Sequence, residues 1–139
     1  MIIEIAGTDR STRQNLPDWS QYTFLVVEDT MSNKALIETF LSRTGVRLLF
    51  AYNGLEAIEA VQSDAKIDLV LMDIRLPDMN GLNATRIIKQ IKPELPVLAQ
   101  TAYAMEADRQ ACYEAGCDGF IAKPYRINEF ISKINSILK

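Results

Sequence analysis

From Tyr22 onward the apolar residues of this chain switch repeatedly between two spacings. Tyr22 to Val27 is a compact apolar run of the kind that forms a buried strand; Ala35, Leu36, Ile37, Phe40 and Leu41 then recur at helical spacing until Gly45, a helix stop. Val46, Leu48 and Phe50 alternate with Arg47, Leu49 and Ala51 as a second strand. Asn53 with Glu56 three residues on has the form of a capping box and opens a helix through Val61. The run Ile67-Asp68-Leu69-Val70-Leu71-Met72 predicts a third strand ending at Asp73. A helix carrying Ala84, Ile87, Ile88 and Ile91 follows until Pro93, and Pro96 to Gln100 is strand four. Ala104 to Ala115 reads as a helix stopped by Gly116, Gly119 to Ala122 as a short fifth strand, and Arg126 to Leu138 as the last helix. Five strand–helix units predict an α/β domain, a doubly wound parallel sheet with helices on both faces.

The residues before this alternation behave differently. Gly7 to Ser20 is polar and lacks periodicity, and Met1 to Ile5 has the composition of a stray strand. The expected division is a linker or N-terminal tail over residues 1–21 and one domain over 22–139. With 48% apolar and 24% charged residues in a chain of 139, one packed core is expected rather than disorder. The longest uncharged stretch, Leu95 to Met105, is too short to span a membrane, and Glu4 interrupts the place where a signal peptide needs its apolar core. A cytoplasmic protein is expected. Cys112 and Cys117 lack a metal-type spacing and read as reduced packing residues. A net charge of −3 argues against a nucleic-acid surface, which needs clustered Lys and Arg.

The chain contains no histidine. That excludes Ser-His-Asp and Cys-His catalysis, zinc chemistry of the His-Glu-x-x-His type, and a histidine phosphocarrier role. What chemistry there is must run on carboxylates, hydroxyls and lysine, with or without a hard metal. In a parallel sheet the C-terminal ends of all strands lie on one edge, where ligands and reactive groups gather. The residues just after strands one, three, four and five are Glu28 and Asp29, Asp73, Thr101, and Lys123 before Pro124. Taken singly, Asp73 is explained as the start of a turn, Glu28 and Asp29 as charge at a helix N-terminus, and Thr101 as a helix cap. Their convergence on one rim favours a site.

These segments carry a resemblance. Phe24 to Asp29, Leu71 to Gly81, Gln100-Thr101-Ala102 and Ala115 to Pro124 stand in the order and at the intervals of a response-regulator receiver domain of two-component signalling, over about residues 22–139. The resemblance implies a flavodoxin-like sheet of order 2-1-3-4-5. It further implies that Asp73 accepts a phosphoryl group from a histidine kinase or histidine phosphotransfer protein. Glu28, Asp29, Asp73 and the backbone carbonyl of Arg75 would hold magnesium, for which manganese could substitute. Thr101 would bond a phosphoryl oxygen, and Lys123, after which the family has a cis proline, would pair with Asp73 and then with the phosphoryl group. Phe120 takes the place of the family's switch aromatic, and the surface near helix four, strand five and helix five would shift. By the same resemblance the chain is not a turnover enzyme beyond its own phosphorylation and dephosphorylation.

Departures from the commonest pattern matter too. Glu28-Asp29 replaces the frequent Asp-Asp, and Thr30 stands where receivers of hybrid sensor kinases often have Asn. Arg75 and Tyr103 are bulky at the two positions that, in the family it resembles, influence the access of water to the acyl phosphate, so the resemblance implies slow decay. The helix Ala104 to Ala115 should face inward with Ala104, Ala107, Ala111, Cys112 and Ala115, with Met105 at its border, a face burying little apolar area; the last helix should be an anchor through Ile127, Phe130, Ile131, Ile134, Ile137 and Leu138. An aspartate-nucleophile phosphatase is the alternative enzyme, but it wants a second acid where Arg75 stands; a docking receiver without phosphorylation is the other alternative. The leader and the segments around Thr101 and Ala115 resemble hybrid histidine kinases more than a stand-alone regulator. A homodimer is left open, and no direct nucleic-acid partner is expected.

Overall fold

The computed structural model describes residues 16–102 and 105–138. Its elements are β1 Thr23–Val27, α1 Met31–Leu41, β2 Arg47–Ala51, α2 Gly54–Gln62, β3 Leu69–Asp73, α3 Gly81–Ile91, β4 Val97–Thr101, α4 Glu106–Glu114, β5 Gly119–Ala122 and α5 Ile127–Leu138. All strand pairs are parallel, and the sheet has the order β2-β1-β3-β4-β5 implied by the resemblance. A short 3-10 turn, Ser42–Thr44, follows α1, and Gly45 ends it at φ 79°, a left-handed conformation that glycine takes without penalty.

Alternation along the strands divides the core in two. Leu25, Val27, Val70, Met72, Val97 and Ala99 face α2, α3 and α4, while Phe24, Val26, Leu69, Leu71, Leu98 and Ile121 face α1 and α5. The central strands β1, β3 and β4 are almost wholly buried, which is why they read as continuous apolar runs rather than alternating ones. Acids fix the entry of two strands. Asp68 accepts from the Thr23 backbone N–H at 2.8 Å, and Asp118 accepts from the N–H of Val97 at 2.9 Å and from Lys89 at 2.7 Å.

The structure adds detail to three expectations. Within the leader expected over residues 1–21, Trp19 packs on the domain: it is buried at 3% exposure, its ring lies 5.5 Å from that of Phe24, and its backbone N–H donates to the Thr44 carbonyl at 2.7 Å. An aromatic ring of that size is worth burying whatever the polarity of its neighbours. Residues 1–15, including the stray strand over Met1 to Ile5, lie outside the described residues. The capping box is shifted: Asn53 accepts from the Glu56 N–H at 2.8 Å, but Glu56 reaches back to the Tyr52 N–H at 2.7 Å rather than to that of Asn53. Finally, Ala107 of α4 is exposed, and the only buried residue within that helix is Cys112. Ala104 lies outside the described residues.

The two helices nearest the site rim therefore differ in grip. α5 buries Phe130, Ile131 and Ile134, worth about 1.5–3 kcal/mol each relative to exposure. Beyond Cys112, α4 adds only Ala115 at its C-cap and the half-buried Asp108 and Ala111. Its C-terminal turn closes in a Schellman arrangement, with the Cys117 N–H on the Cys112 carbonyl at 3.0 Å, the Gly116 N–H on Tyr113 at 3.0 Å, and Gly116 at φ 105°.

Candidate functional site

The strand ends bring the expected residues to one edge. Glu28 and Asp29 leave β1, Asp73 closes β3, Thr101 closes β4, and Lys123 follows β5. One carboxylate oxygen each from Glu28, Asp29 and Asp73 lie within 4.8 Å of one another. Glu28 is wholly buried and Asp73 is 6% exposed. Lys123 reaches both, its Nζ 3.3 Å from Glu28 Oε1 and 3.4 Å from Asp73 Oδ2. The single ammonium thus bridges two acids from separate strands, and its N–H in the backbone donates to the Thr101 carbonyl at 2.7 Å. The Lys123–Pro124 peptide bond is cis.

Local structure holds each group. The Arg75 N–H donates to Asp73 Oδ1 at 3.0 Å, so the chain folds back over the acid as soon as the strand ends. Gly81 lies directly beneath: a Cβ there would stand 2.2 Å from the Asp73 carbonyl oxygen and 2.8 Å from the Ile74 Cα. Only a residue without a side chain allows this approach, and the Gly81 N–H uses it to reach the Ile74 carbonyl at 2.7 Å. Thr101, 5% exposed, faces the α2–α4 side of the sheet with Ala99. A cleft of about 530 Å³ opens there, lined by Arg75, Met79, Thr101, Asp108 and Ala111 among others. Phe120 is half-buried against the same core. Tyr103 lies outside the described residues.

Burial dominates the electrostatics. Removal from water, and then the neighbouring charge of Glu28, push the Asp73 carboxyl up to about 6, although Lys123 and the Arg75 N–H pull it back. Such an arrangement of acids suits a hard cation. Opposed oxygen ligands on magnesium stand about 4.2 Å apart, twice a bond of about 2.1 Å. Oxygens within 4.8 Å of one another are therefore close to sharing one octahedral shell, and the donor set, all oxygen, is the one magnesium selects.

Four contributing residues have no signal in the linear sequence that marks them. Asn33 donates to Glu28 Oε2 at 3.3 Å, beside the Thr30 N–H at 3.3 Å; the first turn of α1 points its amide back at the rim. Asp78 accepts from the N–H groups of Gly54 and Leu55 at 2.8 and 2.9 Å, tying the loop after Asp73 to the N-terminus of α2. Gln100 and Tyr125 form a buried pair at 2.6 Å. In each case except Asn33 the partner is more than twenty residues away, and only the fold reveals it.

Known proteins resemble this chain in sequence and fold. The polar-differentiation response regulator DivK of Brucella anthropi is 35% identical over 116 residues, covering 82% of this chain and 94% of the relative; that of Brucella ovis is 34% identical over the same span. Among solved structures, the receiver domain of a sensor histidine kinase from Pseudomonas aeruginosa, with a magnesium ion in its active-site cleft, is 32% identical with a TM-score of 0.77, covering 84% of this chain and 97% of that one. A putative response regulator from Chloroflexus aurantiacus has a TM-score of 0.79 at 27% identity, covering 84% and 97%. Residues 24–135, which run from β1 into α5 and hold the acid rim, match the model of the response regulator receiver domain, and the chain belongs to that family.

Proposed function

We propose that Asp73 is a phosphoacceptor that receives its phosphoryl group from a phosphohistidine on another protein, with magnesium held by Glu28, Asp29, Asp73 and the Arg75 carbonyl. The observation that carries this reading is the ammonium of Lys123 set between Glu28 and Asp73 at 3.3 and 3.4 Å. An ionised Asp73 oxygen attacks phosphorus, the phosphorus–nitrogen bond of the donor breaks, and its electron pair returns to the imidazole, which is left neutral or takes up a proton. Lys123 follows the growing negative charge from the carboxylate to a phosphoryl oxygen, and Thr101 offers its hydroxyl to another. Magnesium, when bound, supplies the positive charge that three clustered carboxylates and an incoming phosphoryl group require; manganese would substitute. The chain's own chemistry is confined to gaining and losing this group.

The proposed output is a surface change around α4, β5 and α5, with Thr101 drawn toward the phosphoryl group and Phe120 turning behind it. Support comes from the slight burial of α4 and the cleft between Arg75, Thr101 and α4. Work in the cytoplasm, where phosphohistidine donors act, fits a described chain in which no helix is long and apolar enough to cross a membrane. A hybrid kinase is the favoured parent. The phosphatase reading is disfavoured because Arg75 stands two residues after Asp73 in place of an acid.

Intact mass after incubation with acetyl phosphate and magnesium tests the proposal. One phosphoryl adduct is expected on the wild type and none on Asp73→Asn; a bare wild type would favour a docking receiver, and steady turnover of phosphate esters a phosphatase. The bulk of Arg75 and Tyr103 should also keep the adduct long-lived. Replacing both with small residues is expected to speed its decay about tenfold, and unchanged decay would remove this role.

A further inference from the structure

Behind the acid rim lies a polar position that the proposed chemistry does not yet use. Asp73 of β3 is registered with Gln100 of β4, and Gln100 with Ile121 of β5. Registered residues of parallel strands leave the same face of the sheet, on strands about 4.8 Å apart. Leu71 and Leu98, two residues earlier on their strands, and Ile121 in the same row all belong to the core under α1 and α5. The side chains of Asp73 and Gln100 therefore start out side by side toward that layer.

Gln100 is fully buried. An amide there costs free energy unless both its ends are paired, and an apolar residue such as the neighbouring Leu98 or Ile121 would avoid the cost. Its Oε1 accepts from the Tyr125 hydroxyl at 2.6 Å, whereas its Nε2 has no partner among the described residues. Tyr125 is itself buried and stacked on Phe130, ring centroids 4.6 Å apart and planes 13° from parallel, so the hydroxyl is rigidly presented. Burial, and after it the charges of Glu28 and Asp73, hold that hydroxyl well above the usual tyrosine pKa, so it keeps its proton, in keeping with its nearness to the acids. Charge also decides which end of the amide is free. A carbonyl oxygen turned toward clustered carboxylates is repelled, and an N–H is attracted; Tyr125, by donating to Oε1, leaves the N–H end available.

We propose that Gln100 is a positioning residue of the acid pocket: with Oε1 held by Tyr125, its Nε2 donates through one buried water to the carboxylates around Asp73, and so orients Asp73 for the cation and the phosphoryl group. This rests on the phosphoacceptor reading above. Through Tyr125 and Phe130 the same chain of contacts joins the pocket to α5. Partners that stand behind metal ligands typically change metal affinity by about 10–100-fold when removed.

The test compares magnesium affinity, by calorimetric titration of the full chain, in wild type and in the double variant Gln100→Met with Tyr125→Phe. Replacing both partners by apolar groups of similar size leaves no new unpaired donor, so the melting temperature should stay near that of the wild type while magnesium binds about tenfold more weakly. Tyr125→Phe alone, which frees the amide to turn, should show a smaller loss in the same direction. In the wild type the Gln100 side-chain amide resonances should move when magnesium is added. A folded double variant that binds magnesium as the wild type does, or amide resonances unmoved by the ion, would overturn the proposal. Should the double variant not fold, the single variant and the resonances decide. Failure of the wild type to take up phosphoryl from acetyl phosphate would overturn the phosphoacceptor reading instead, and is seen separately by mass.

Discussion

Asp73 carries two conflicting demands: a nucleophile must be ionised, yet this carboxyl is 6% exposed and shares its pocket with the wholly buried Glu28. Lys123 relieves the conflict only in part, since the acid is still pushed up to about 6 from an ordinary 3.8. A carboxyl with a raised folded-state pKa binds its proton more tightly when folded. In metal-free solution the stability it contributes is therefore fully present below about pH 4 and is lost as pH rises through about 6. The difference amounts to up to about 3 kcal/mol. Asp73→Asn, which cannot ionise, should accordingly be more stable than the wild type at pH 7.5 in chelator and should lose this advantage near pH 4; urea titrations at both pH values measure it, and equal stabilities at pH 7.5 would contradict the strained-acid account. Residues such as Glu28, Asp29 and Lys123 were legible in the sequence because each follows an apolar run that ends at the same edge. Asn33, Asp78, Gln100 and Tyr125 were not, because polarity alone does not distinguish a surface side chain from one that meets a distant partner.

At the scale of elements, the contrast between α4 and α5 has a measurable outcome. Amides of α4 should exchange with solvent at least about tenfold faster than those of α5, and their exchange should change when beryllofluoride, a phosphoryl mimic, is added with magnesium; α4 amides as slow as those of α5 and indifferent to the mimic would remove the proposed surface change. How the sequence described these elements is instructive. β5 runs from Gly119 to Ala122 as expected, since an apolar run bounded by a turn and a proline leaves little freedom. α5 declares its face through large side chains. The phase of α4 was harder to read, because alanines occupy both faces of a helix at little cost and carry almost no information about which one is turned inward; Ala107 is accordingly exposed while Cys112 is buried. The strand order came through the resemblance and is the order observed.

The molecule as a whole is an acidic rim on a firmly packed sheet, and its stability should respond to the ion that the rim is proposed to bind. A ligand at a hundred times its dissociation constant stabilises the folded state by about 2.7 kcal/mol. Magnesium should thus raise the melting temperature of the wild type by several degrees and chelator should reverse it, with Asp73→Asn responding less; a wild type indifferent to magnesium would exclude the cation site. The means of observation matters, and here the buried Trp19 has a consequence. It is the chain's sole tryptophan, packed at 3% exposure on Phe24 under the α1 and α5 layer, near the strand beginnings rather than the strand ends that carry the acids. Its fluorescence should therefore report the integrity of that layer and stay almost silent when an ion or a phosphoryl group arrives at the opposite edge. An unchanged emission spectrum on adding magnesium is then no sign of an empty site, whereas a red shift is a sign that the segment leading into β1 has come loose.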